Sequence, residues 1–122
     1  MSGIERITAE RTRQVHEEGW SPGHDDRHGS DELARAALCY AQPARDRDEI
    51  PVKQGQYGEG WESCSVGEAE FFIPEQWPFS PTDWKPSGGM SIPDRLRELT
   101  KAGALIAAEM DRLERLSTRR GQ

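Results

Sequence analysis

SIPDRLRELTKAGALIAAEMDRLERLS, from Ser91 to Ser117, is the stretch whose reading decides the fold. Ser91 opens an S-x-x-D capping pattern with Asp94, because a hydroxyl at a helix start accepts a bond from a backbone N–H that has no other partner. Pro93 suits the first turn, where its missing N–H costs nothing. Beyond it Ile92, Leu96, Leu99, Gly103, Ile106, Met110 and Leu113 alternate four and three residues apart, which keeps them on one stripe. The spacing predicts one helix over 91–117, the spine of the fold, with the 96/99/103/106/110/113 stripe buried. Ala102, Gly103, Ala104, Ala107 and Ala108 thin its middle, so a helix from this chain or a partner can pack close there. Arg119 and Arg120 end it with charge suited to a helix C-terminus.

Working outward, Leu33, Ala34, Ala37, Leu38 and Ala41 fall at helical spacing and predict a second helix over 31–41 with a small-residue face. Gly29-Ser30-Asp31 offers its N-cap. A first helix is predicted over 4–18, with Ile4, Ile7 and Val15 as a thin apolar stripe and Gly19 as its stop. Between these two, Ser21-Pro22-Gly23 interrupts helix formation, so the HDDRH segment reads as an ordered loop. Most of the eight prolines lie between Pro43 and Ser91, where no long periodic stretch exists. That span, 43–90, reads as a loop-rich excursion with a turn-rich Gln56–Trp61 segment and one candidate short β element at Ala69–Ile73. Its Trp77-Pro78-Phe79 and Trp84-Lys85-Pro86 motifs carry aromatics large enough to pin it to the core. The whole is a mainly α, three-to-four-helix single domain spanning 1–122.

With 122 residues, 34% hydrophobic and 31% charged, the chain suits one modest core. No run of about eighteen apolar residues occurs and residues 1–18 are charged throughout, so neither a membrane span nor a secretory signal is read, and a cytoplasmic location is expected. Cys39 and Cys64 have no CxxC spacing and read as reduced thiols. The net charge of −6 excludes a general affinity for nucleic-acid backbone, yet a few arginines still suffice for a small anion. A heptad-like stripe with more apolar surface than the 31–41 helix can cover predicts a homo-oligomer.

Gly19-Trp20-Ser21-Pro22-Gly23-His24-Asp25-Asp26-Arg27-His28, the WPF and WKP motifs, and the KAGALIAAE core within Arg95–Arg115 together resemble a family of small proteins of tailed phages and prophages. That family shares a GW[S/T]PxHDDxH segment. The resemblance covers most of the chain except roughly 43–75 and implies a phage origin, hence the cytoplasm of an infected bacterial host, but brings no activity. More distantly, Gly19, Trp20, Asp25, Asp26, Leu33, Leu96, Leu99 and Gly103 are similar to positions of the RyR repeat. Ser21-Pro22-Gly23 stands where that pattern has an aromatic-glycine pair. This second resemblance implies an α-helical ligand- or partner-binding module, with nucleotide-derived molecules among its ligands.

His24, Asp25, Asp26 and His28 form the densest set of potential metal ligands. The alternative is that the carboxylates cap and brace the backbone while the histidines bond locally, and no metal or other cofactor is assigned. No nucleophile motif, phosphate loop or Cys-His pair occurs, so no catalytic residue is assigned and the chain is not read as an enzyme. The three histidines all sit early, and Glu109, Asp111 and Glu114 lack the paired spacing of helical pyrophosphohydrolases.

The expected function is therefore capture of a small nucleotide-like ligand, most naturally a host immune signal sequestered by a phage protein. The assigned ligand contacts are Arg13, Trp20, His24, Asp26, Trp77, Trp84 and Lys85: rings to stack on a base, charge to hold phosphate, and polar groups for its edge. The GWSPGHDDRH and WPFSPTDWKP segments are expected to form one wall of that site. Alternatives are a module that binds a host protein and a metal-dependent nucleotide phosphohydrolase.

Overall fold

In the computed structural model, which describes residues 1–29, 31–54, 61–63 and 71–120, four helices carry the fold and three short strands cover part of it. Helix α1 spans Gly3–His16, α2 Pro22–Asp26, α3 Glu32–Ala41 and α4 Ile92–Arg119. Strands β1 (Glu49–Gln54), β2 (Trp61–Ser63) and β3 (Phe71–Pro74) form an antiparallel sheet in the order β2-β1-β3. The register sets Val52 opposite Ser63 and Ile50 opposite Ile73. Among the described residues no helix is long and apolar enough to cross a membrane.

Each helix start has a local chemical reason. Ser2 and Glu5 form a reciprocal capping box on α1. The Ser21 hydroxyl accepts from the His24 N–H, so the residues 22–26, expected as loop, wind into the short helix α2 behind Pro22. Ser91 accepts from the Asp94 N–H at 3.2 Å, as its capping pattern predicts. Asp31 does occupy the N-cap of α3, but with φ +62° and no bond from its side chain.

The core lies between α3 and α4. Leu33, Ala36, Ala37 and Tyr40 pack with Ala102, Leu105 and Ala108, and Val52, Ile73, Trp77 and Trp84 from the excursion close the cluster. Alanines at this contact let two helices approach with little side-chain volume between them. The described part of the excursion carries more regular structure than expected: its candidate β element falls in β3 of a three-stranded sheet, although Ala69 and Glu70 lie outside the described residues, as do 56–60 of the turn-rich segment and Cys64.

Two faces are corrected. Helix α3 buries Ala36, Cys39 and Tyr40 beside Leu33 and Ala37, while Leu38 stays 67% exposed. Its apolar residues run almost all the way round, so periodicity alone could not pick the inward side. On α4 the buried row is Glu98, Ala102, Leu105, Ala108, Glu109 and Arg112. The stripe expected to be buried instead faces outward, with Leu96, Leu99, Ile106, Met110 and Leu113 between 39% and 64% exposed. Gly103 on that stripe meets a helix as foreseen: a Cβ there would come within 2.5 Å of Ile7 Cδ1, so α1 crosses α4 at this point.

Candidate functional site

The two motif segments do lie side by side. The Trp20 ring stacks on His24 at 5.6 Å and meets Phe79 at 6.2 Å, and Phe79 also meets His28 edge-on at 4.8 Å. From Phe79 the ring contacts continue to Trp77 at 5.4 Å, from there to Tyr40 and to Trp84, and Tyr40 stacks on Trp84 at 4.6 Å. This is a continuous aromatic column from the α1–α2 junction into the core. Trp77 and Trp84 are each only 7% exposed, so their rings are spent on one another and on Tyr40. Both were expected to stack on a ligand; in the structure they stack on one another and on Tyr40.

The polar members of the expected site are held within the chain. Arg13 bonds Glu10 at 2.7 and 2.9 Å and Glu18 at 3.0 Å. Lys85 reaches both oxygens of the same Glu18 at 3.1 Å. The Arg13 guanidinium, and then the Lys85 ammonium, hold the Glu18 carboxyl below its ordinary value. Asp26 is bound by Arg115 at 2.9 Å and Arg119 at 3.3 Å, and Arg115 holds its carboxyl low as well. His24 Nδ1 lies 3.0 Å from Asp25 Oδ1, and His28 Nδ1 lies 3.0 Å from Glu32. Among the described residues no three His, Cys, Asp or Glu side chains converge as a metal site.

Where Arg13, Trp20 and Lys85 do come together, with Glu18, Asp83 and Lys101, they enclose a crevice of about 20 Å³. That is room for roughly one water molecule, whereas sites for small organic ligands span about 300–1,000 Å³. The two segments adjoin, but the crevice between them is too small for such a ligand.

A larger opening lies on the other side of Arg13. Helix α1 and the first half of α4 diverge around a groove of about 490 Å³, lined by Met1, Arg6, Arg13, Pro93, Leu96 and Arg97 together with Ala9, Glu10 and Thr100. Its size falls in the ligand range. Arg6 has no ion-pair partner among the described residues, and Arg97 is 58% exposed with only a 3.6 Å contact to Asp94. Guanidinium groups carry a planar fork of donors that fits phosphate or carboxylate oxygens in pairs. Met1, Pro93 and Leu96 add an apolar wall.

Arg6 and Arg97 were not among the expected contacts. The seven-residue separation of Arg6 and Arg13 puts them on one face of α1, a signal available in the sequence. Nothing local marks Arg97, because its relation to Arg6 depends on how α1 crosses α4. In comparisons, the chain matches no protein-family profile, no curated protein and no solved structure.

Proposed function

We propose that this protein binds a small anionic molecule of the nucleotide class in the α1–α4 groove and acts by holding it. The observation that carries the reading is the groove itself: about 490 Å³ with Arg6, Arg13 and Arg97 on its lining, in a chain whose net charge is −6. A local cluster of guanidiniums on an acidic protein attracts a compact anion while the rest of the surface repels polyanions. The apolar wall suits a base or a similar flat group. Arg13 lines the same groove with its guanidinium already paired to Glu10 and Glu18, so Arg6 and Arg97 carry the proposed phosphate contact.

The resemblance of the GWSPGHDDRH, WPF and WKP motifs to phage and prophage proteins supports a role in infection, sequestration of a nucleotide-derived signal of the host, as part of this proposal. Two measurements test the reading. Mass spectrometry of molecules released on denaturing the purified protein, followed by calorimetric titration with cyclic and linear nucleotides, should identify one that binds and is recovered chemically unchanged. The Arg6→Glu/Arg97→Glu variant should then lose that binding without a change in its melting curve. Binding of equal strength in the variant, or no nucleotide bound by the wild type, overturns it.

A further inference from the structure

We infer that the outward stripe of α4 is the contact surface for a second copy of this chain, forming a two-chain assembly through paired α4 helices. Along α4, Ile92, Leu96, Leu99, Gly103, Ile106, Met110 and Leu113 follow a strict 4-3 alternation. A straight helix turns 100° per residue, so the stripe lies roughly 120° around from the buried Glu98–Ala102–Leu105 row. Helix α3 packs on that buried row, while α1 meets the stripe where Ile7 fills the notch at Gly103 and borders it at Leu96 across the arginine groove. Among the described residues the rest of the stripe stays open to solvent to a large extent: Ile92 is 79% exposed, Met110 64%, and Leu99, Ile106 and Leu113 close to half.

The area fits this occupant. Six large aliphatic side chains in that state of exposure present apolar surface on the order of 600 Å², at or above the largest patch of an ordinary monomer. A stable interface buries about 800 Å² on each partner, and flanking residues supply the remainder. The pattern fits as well, since a sustained 3.5-residue repeat is matched by another helix of the same repeat, whose side chains enter the gaps between its own. No charged residue interrupts the stripe from Ile92 to Leu113, so two copies meet without burying an unpaired charge. Leu96 belongs to both the stripe and the arginine groove, which places the second copy at the groove's edge.

Light scattering on the purified protein at tens of micromolar should report twice the chain mass of 13.8 kDa. Leu99→Arg/Ile106→Arg should report one chain mass with an unchanged far-ultraviolet dichroism spectrum. Should that pair of changes unfold the chain, Ile92→Lys/Met110→Lys at the two most exposed positions takes its place, with the same expected result. A wild type of single-chain mass, or of any mass other than two chains, overturns the inference. So does a two-chain mass that survives in a folded variant.

Discussion

The Arg11 guanidinium lies 2.6 Å from the Asp25 carboxylate, and that carboxylate has no solvent exposure at all. Arg11 also donates to the Trp20 carbonyl at 3.3 Å, and the second carboxylate oxygen of Asp25 faces His24. One pair, with Asp25 fully buried, thus ties α1 to the α2 turn and holds the Trp20 carbonyl between them. Of the two adjacent aspartates, Asp25 joins α1 to α2, while Asp26 joins α2 to the C-terminal turns of α4 through Arg115 and Arg119.

Removing one member of a buried pair leaves the other uncompensated, at about 3–5 kcal/mol. Asp25→Ala and Arg11→Met should each lower the urea midpoint by that order with the slope unchanged, whereas Asp26→Ala, whose partners are more exposed, should lower it much less. Equal effects at Asp25 and Asp26 would contradict the burial difference.

At Gly103 two effects oppose. An alanine gains about 1 kcal/mol in helix propensity, but its Cβ would meet Ile7 Cδ1 at 2.5 Å and Cγ1 at 2.7 Å, and overpacking costs about 1–3 kcal/mol. Gly103→Ala should therefore destabilise on balance. In an Ile7→Ala background the obstructing atoms are gone and the same change should stabilise. A stabilising effect in both backgrounds would mean that α1 does not approach α4 so closely.

Leu105 and Ile106 are neighbours with opposite fates, one at 0% and the other at 49% exposure. Leu105→Ala should cost about 2–5 kcal/mol through the cavity it leaves. Ile106→Asp should leave the melting temperature nearly unchanged at concentrations low enough to keep single chains apart. Loss of folding in dilute Ile106→Asp would put the stripe back in the core.

Acid should expose the two carboxylates held low by cationic partners. Glu18 and Asp26 titrate below their ordinary values of 4.5 and 3.8 in the folded protein. The unfolded chain therefore takes up their protons first, and their contribution is complete above about 4.5 and is lost as pH falls below it. The melting temperature should be level from pH 7 to about 5 and then decline. Lys85→Met should make the decline shallower, and an unaltered acid profile would remove Lys85 from the network around Glu18.

Much of the architecture was legible because it is written locally. The Ser91 cap, the first-turn Pro93 and the run to Arg119 specify α4, and Ser2 and Glu5 specify where α1 begins, through bonds between residues three apart. The aromatic motifs announced that the excursion is pinned down, since rings of that size seldom stay in water. The seven-residue spacing of Arg6 and Arg13 sets both on one face of α1, a signal the sequence carries but the expected contacts did not use. What sequence periodicity could not decide was the direction in which an apolar stripe points. Helix α4 carries two rows able to face a core, an aliphatic one and an alanine-rich one. The alanine row, with Leu105, went inward because α3 presents small residues and can approach only a thin surface. The same choice closed the aromatic wall around Tyr40 and opened the arginine groove. Those outcomes depend on how helices distant in sequence fit together, and packing of that kind is settled only when every neighbouring shape is present at once.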